Sequence, residues 1–253
     1  MNRRRLLLWF GLFVVFAAAL PAVKSAPTAP ASTSPATRRV SVATSGQEAN
    51  HDSTFVALSA DGRFVAFDSH ASNLVPGDTN GEEDVFLHDL HTGRTSRVSV
   101  SSSGAQGNLA SDQPAISADG RFIAFRSYAD NLVAGDTTRC SNSSDHEGEE
   151  CYADIVVHDR QTGQTVRVSL GAAGAQANGL SASPSISADG RFVAFSSLAK
   201  NLVSGDTNEY LDIFVRDRAA GTTSLVSVST AGVQGNHNST MPALSADGRW
   251  VVF

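Results

Sequence analysis

The sequence predicts an all-β chain of repeated four-stranded antiparallel units, on three observations. A nine-residue stretch, SADGRFVAF at 59–67, returns as SADGRFIAF at 117–125, SADGRFVAF at 187–195 and SADGRWVVF at 245–253. The aspartates of these copies, Asp61, Asp119, Asp189 and Asp247, are spaced by 58, 70 and 58 residues. Each copy is flanked by further short apolar runs at matching offsets, bounded by Gly, Asn and Asp. A fixed period of this size marks stacked supersecondary units, none of which can bury its apolar faces alone.

The chain opens MNRRRLLLWFGLFVVFAAALPAV: Arg3, Arg4 and Arg5, an apolar run from Leu6 to Leu20, then small residues. This is the pattern of a secretory signal peptide, with cleavage expected between Ala22 and Ala26. A membrane anchor is the alternative, but the run falls short of the ~20 residues that a bilayer crossing needs. The stretch from Asn2 to Leu7 also loosely fits a twin-arginine export signal. The expected organisation is a signal peptide at 1–26, a disordered Pro/Ser/Thr/Ala linker at 27–38, and repeats at 39–253 in units of about 39–95, 96–165, 166–223 and 224–253. The protein is expected in a periplasm or outside the cell, with no stable membrane span after signal removal. Losing Arg3, Arg4, Arg5 and Lys24 moves the net charge from −6 to −10. So acidic a chain, with no Lys/Arg cluster, argues against nucleic acid or an anionic membrane as partner.

Within a unit four strand signals follow one another. The first is Gln113–Ser117, the second RFIAF, the third DIVVHD and the fourth TVRVSL. Asp119-Gly120 between the first two, and Gly163 between the last two (Gly93 and Gly221 in the other units), supply tight hairpins with glycine at a left-handed position. The second and third strands carry consecutive apolar residues, Phe64 to Phe67 and Val85 to Leu87, as expected when both sheet faces are covered. The fourth alternates, Val98 and Val100 about Ser99, as a half-exposed outer strand should. His88 and His158 occupy matching third-strand positions where the next unit has Arg216, and are expected on that strand's surface. Four-stranded units covered on both faces and repeated radially make a β-propeller. A β-sandwich is the rival, but it does not require near-identical units.

These motifs resemble the TolB-type, WD-repeat-like propellers. The blade of that family carries a Ser-x-Asp-Gly-Arg/Lys-x-Ile/Val-Ala-Phe hairpin, here Ser59-Ala60-Asp61-Gly62-Arg63-Phe64-Val65-Ala66-Phe67, and an Asp-Ile/Val-Tyr/Phe-Val-x-Asp strand, here Asp212-Ile213-Phe214-Val215-Arg216-Asp217. The resemblance spans nearly everything from Arg39 onward. It implies a scaffold found in periplasmic binding proteins, in non-catalytic domains of peptidases and in some lyases. Three full blades and an incomplete fourth are expected, because the fourth unit stops after SADGRWVVF while RRVSVA at 39–44 stands as a lone outer strand. The expectation is a truncated propeller, or one that completes itself with another copy through unpaired blade edges.

The middle unit is longer because Asp136 to Asp154 spans 18 residues where Asp78 to Asp84 and Asp206 to Asp212 span 6. The insertion holds both cysteines, Cys140 and Cys151. In an oxidising compartment a disulfide is expected there, worth on the order of 3 kcal/mol at most. The alternative, a zinc site, has only His146 between the cysteines and falls short of four ligands. Asp145, Glu147, Glu149 and Glu150 are expected to form a solvated loop, the alternative being an additional acidic site.

Function is expected on the face carrying the long loops between second and third strands and the connections around Asn108, Asn178 and Asn236. Asp78, Asn80 and Asp84, echoed by Asp206, Asn208 and Asp212, place oxygens at alternate positions as half of a calcium loop does. The alternative is that the same residues, with Asn73, Asn131 and Asn201, make Asx-turns and strand starts. Tyr128, Tyr152 and Tyr210 are the expected partner-binding residues. His51, His70 and His237 could approach the loop face without a paired acid, base or nucleophile. Neither a G-x-S-x-G elbow nor an H-E-x-x-H motif occurs, so no catalytic residues are assigned. The reading is an exported, non-catalytic propeller that binds or scaffolds protein through its loop face, with calcium the one candidate cofactor. The alternative is the propeller portion of an envelope or secreted hydrolase or lyase, gating substrate for a catalytic domain outside this chain.

Overall fold

The structure, a computed structural model, describes residues 37–138 and 151–253. The leader, most of the linker, and the insertion with Cys140, His146 and its acidic residues lie outside the described residues. The compact unit runs from Arg39 to Phe253. Its first blade comprises β1 (Ser53–Leu58), β2 (Phe64–Ser69), β3 (Asp84–Asp89) and β4 (Arg94–Arg97). The second comprises β5 (Ser111–Ile116), β6 (Phe122–Ser127), β7 (Asp154–Asp159) and β8 (Gln164–Arg167). The third comprises β9 (Ser181–Ile186), β10 (Phe192–Ser197), β11 (Asp212–Asp217) and β12 (Thr222–Leu225). A two-stranded sheet of β13 (Ala243–Leu244) and β14 (Val251–Val252) follows. Each blade is a meander in sequence order with antiparallel neighbours, so the protein is an incomplete β-propeller.

The unbroken apolar runs of the second and third strands are resolved by the pleat. On β2, Phe64 and Ala66 join Ile123, Phe125 and Val156 of the second blade in one core, while Val65 and Phe67 pack with Phe86, Leu74 and the segment bearing Val40 and Ala49. Ala124, Ile155 and Val157 of the second blade join Val193, Phe195 and Phe214 of the third. Both faces of one strand are thus buried, each against a different neighbour.

The repeated hairpin is built around the blade junction. Ser59 Oγ donates to Asp61 Oδ1 at 2.6 Å and accepts from Phe64 N at 2.9 Å, while Arg63 N donates to Asp61 Oδ1 at 3.0 Å. Arg63 then reaches Asp89, at the end of β3, through two bonds of 3.1 and 2.8 Å. Successive hairpins are laced together by Ala60 N to Ala118 O, Ala118 N to Ala188 O and Ala188 N to Ala246 O, at 3.0, 3.0 and 2.9 Å. The glycine of each later copy receives the phenylalanine of the blade before it: a Cβ on Gly120 would fall 2.3 Å from Phe64, and one on Gly190 2.2 Å from Phe122.

Two expectations about the third and fourth strands are corrected. The ladder of the fourth strand ends at Arg97, and Ser99 is buried instead of facing solvent. Its Oγ donates to Asp84 Oδ1 at 2.5 Å and accepts from Val85 N at 3.1 Å, a pairing that compensates its desolvation. His88 and His158 are likewise buried, not on the surface. Each ring Nδ1 lies 2.9 Å from the hydroxyl of Thr95 or Thr165, which itself donates to a carbonyl of the preceding connection, Val42 or Val100. With the hydroxyl proton so directed, the imidazole is the donor to Thr, and Arg216 takes over that donation to Thr223 at 3.1 Å in the third blade.

Candidate functional site

The long loops and the connections after each fourth strand lie together and are clamped by asparagines. Asn73 Oδ1 accepts from Asn50 N, Asn131 Oδ1 from Asn108 N, and Asn201 Oδ1 from Asn178 N, each at 3.0 Å. The amide of each returns a bond of 2.8 Å to the carbonyl of Glu48, Gln106 or Gln176. Asn80 Oδ1 accepts from Glu82 N at 3.1 Å and Asn208 Oδ1 from Tyr210 N at 2.8 Å, both Asx-turns. Their amides cross to Gly107 O and Gly235 O at 3.0 and 3.1 Å.

Beneath these turns each blade holds a carboxylate pair. In the first, Gln106 Nε2 donates to Asp78 Oδ1 and Asp84 Oδ2 at 3.2 and 3.1 Å, and the Arg97 guanidinium sits 3.3 Å from both carboxylates as an ion pair. The second blade repeats this with Gln176, Asp136, Asp154 and Arg167, at ion-pair distances of 2.6 and 3.0 Å. Burial raises the Asp84 carboxyl above the ordinary range and pushes Asp154 up to about 6, opposed by the arginine and by the serine hydroxyl beside each. Asp78 and Asp84, two of the residues that the sequence offers as calcium ligands, are thus paired with an internal guanidinium.

The third blade keeps every member except the arginine. Gln234 Nε2 donates to Asp206 Oδ1 and Asp212 Oδ2 at 2.8 and 2.7 Å, and Ser227 Oγ donates to Asp212 Oδ1 at 2.5 Å. The residue matching Arg97 and Arg167 is Leu225. Among the described residues neither Asp206 nor Asp212 has an ion-pair partner, and no group of three or more His, Cys, Asp or Glu is placed to hold a metal. Over Leu225 opens a cleft of about 760 Å³ lined by Val203, Thr207, Asn208, Tyr210, Val233 and Gln234. Tyr210 is 40% exposed and stacks on His237 with ring centroids 5.1 Å apart. The corresponding cleft of the first blade, lined by Arg97 and Gln106, encloses about 360 Å³.

A second departure from the repeat lies on the inner side, where the first strands of neighbouring blades meet. Thr54 Oγ1 donates to Asp68 Oδ1 at 2.5 Å, and Gln113 N donates to Asp68 Oδ2 at 2.9 Å. Gln113 reaches that carboxylate with φ of +53°, at a register shift between β5 and β6. Arg126 grips Asp112 through both nitrogens of its fork and lies 5.3 Å over the ring of Tyr128. Glu83 adjoins this group, with His70 Nε2 3.9 Å from its carboxylate. Desolvation, then the charges of Asp68 and Asp112, push Glu83 up to about 7. The unit-to-unit substitutions at these positions, Asp68, Arg126 and Ser196 on the second strands, are the signal by which sequence comparison of the blades could have found them.

Of the three tyrosines, Tyr210 faces the cleft, Tyr128 is half-buried against the core of the first two blades, and Tyr152 is half-buried just before β7. His51 and His70 meet, edge to face, with ring centroids 5.7 Å apart. Cys151 carries no free thiol, and its expected partner Cys140 lies outside the described residues. Among the described residues no helix is long and apolar enough to cross a membrane.

No protein-family model matches this chain, and no curated protein matches it. Solved structures do. The chain is similar to TolB from Acinetobacter baumannii, at 17% identity and a TM-score of 0.44, over 79% of this chain and 37% of that one. It is similar to a putative TolB from Agrobacterium tumefaciens, at 20% identity and a TM-score of 0.43, over 78% and 56%. The β-propeller domain of the Trilobed protease from Pyrococcus furiosus matches at 15% identity and a TM-score of 0.40, over 69% and 41%. The chain thus spans 37–56% of the length of these three structures.

Proposed function

We propose that this chain is an exported, non-catalytic propeller that binds a protein partner through its long-loop face. The observation that supports the reading is how the repeated polar residues are used. Ser59, Asp61, Arg63 and Asp89 are committed to their own hairpin and strand, and the loop asparagines to clamps. What is left unrepeated on the loop face is a stiff cleft wall, with Tyr210 stacked on His237 and Val233 65% exposed. Aromatic and apolar side chains fixed on a rigid frame bind protein surfaces at small entropic cost. Export rests on the Arg3–Leu20 pattern, and a Cys140–Cys151 disulfide would suit that compartment.

The reading is tested with photo-crosslinking amino acids placed at Tyr210 and Val233 and, on the opposite hairpin face, at Thr162. A discrete adduct from the first two positions and none from the third is expected. Adducts from Thr162 alone, or substrate turnover by the purified chain, would refute it.

A further inference from the structure

We infer that the third blade holds a receptor site for an arginine side chain of a partner polypeptide. The inference deepens the loop-face reading above and rests on it. Its basis is a comparison among three copies of one arrangement. In the first and second blades an Asp pair, a bridging Gln and a Ser surround a guanidinium supplied by the blade itself, Arg97 or Arg167. In the third blade the Asp pair, Gln234 and Ser227 keep the same bonds, but Leu225 replaces the arginine. Asp206 Oδ2, whose counterparts face Arg97 at 3.3 Å and Arg167 at 2.6 Å, has no donor among the described residues.

The cleft over Leu225 is about twice the volume of its first-blade counterpart, about 760 against 360 Å³. The missing group thus leaves both uncompensated charge and space. A guanidinium fits that charge better than a metal ion does. Thr207 N donates to Gln234 Oε1 at 3.3 Å, which fixes the amide with Nε2 toward the carboxylates, so a hydrogen-bond donor already occupies part of what a metal would need as oxygen shell. A planar fork can span Asp206 and Asp212 at ion-pair distance, as Arg97 spans Asp78 and Asp84 and Arg167 spans Asp136 and Asp154. The source is a polypeptide because the cleft lined by Thr207, Leu225 and Gln234, whose amide holds the carboxylates, continues to Tyr210 and Val233, which would flank the residues on either side of the arginine.

The test uses the full chain and a blocked Gly-Arg-Gly tripeptide, followed by amide chemical-shift changes, with the citrulline tripeptide and methylguanidinium as comparison probes. Saturable shifts confined to Gly205, Thr207, Leu225 and Gln234 are expected, with affinity at least tenfold lower for citrulline, which has the same shape without the charge. Leu225→Arg should abolish the shifts by supplying the group internally. Should that variant not fold, Asp206→Asn carries the test, with at least a tenfold loss of affinity. Equal binding of citrulline, shifts outside the third blade, or insensitivity to Asp206→Asn would overturn the site. Methylguanidinium binding as tightly as the tripeptide would overturn the polypeptide source. Failure here leaves the crosslinking test untouched, since that test reads Tyr210 and Val233 and not the carboxylates.

Discussion

Phe64 of the first blade fills the space that a side chain on Gly120 of the second would occupy, with a Cβ there 2.3 Å from the ring. Arg63 lies 4.6 Å from the centroid of the same ring and Arg160 of the second blade 4.3 Å, so the plug is capped by cations from both sides of the junction.

Gly120→Ala should therefore destabilise the protein by about 2–4 kcal/mol, since the new methyl meets a ring that cannot retreat and the backbone holds φ at +71°. Gly62→Ala is the control. It has the same φ of +71° and nothing within 4 Å of the new atom, so it should cost only about 1 kcal/mol. Urea denaturation of the two variants measures the difference, and equal losses would remove the plug as a source of stability.

Arg97→Leu reproduces in the first blade what the third blade has. It leaves buried Asp84 and nearly buried Asp78 without a cation, and should cost about 3–5 kcal/mol. The natural leucine of the third blade predicts the reverse for Leu225→Arg, a gain of stability at neutral pH. Chemical denaturation of both variants checks the pair.

Ser99→Ala removes one atom and orphans two buried groups, Asp84 Oδ1 and Val85 N. A loss of about 1–3 kcal/mol is expected. Thr92→Ala on the solvent-facing turn should change stability by less than about 0.5 kcal/mol, and thermal melts distinguish the two.

Glu83 gives the protein a pH dependence of definite sign. Its folded pKa of about 7 lies above the ordinary 4.5, so the native state holds this proton more tightly than the unfolded chain does. The group's contribution is full below pH 4.5 and is lost as pH rises from 4.5 to about 7. Solvent access limits it to about 1 kcal/mol. Asp89 has the opposite sign: its bonds to Arg63 hold it well below the ordinary carboxylate range, so its contribution is present above about pH 4 and fades as pH falls further. Melting temperature against pH for the wild type and Glu83→Gln should differ in slope between pH 4.5 and 7 and run parallel below it. Identical profiles would exclude Glu83 as the titrating group.

The blades were legible because their signals are local. The turn at Asp119-Gly120 with the apolar run after it and the run Asp154–Asp159 each depend on one hairpin, and β6 and β7 appear where those signals lie. The carboxylate pairs were legible as composition but not as chemistry. Asp78 and Asp84 meet Arg97 only when the fourth strand folds back onto the third, and the Val-Ser-Val alternation around Ser99 gave no sign that the serine turns inward to them. The buried histidines were misplaced for a related reason. A third-strand residue faces either solvent or a neighbouring connection, and His88 meets Thr95, whose hydroxyl goes on to Val42 O across a sequence separation that periodicity does not encode. The Asp68, Glu83, Asp112 and Arg126 group joins two blades, so no single unit reveals it.

The second blade is the one whose two central strands share a core with a full blade on either side, Ile123, Phe125 and Val156 with the first and Ala124, Ile155 and Val157 with the third. Opening either neighbour still leaves these strands half covered, so amide protons of β6 and β7 must wait for the rarest fluctuation in the array. Deuterium uptake should accordingly sweep inward from both flanks and reach the second blade last, giving the protein a kinetic centre that does not coincide with its loop-face cleft.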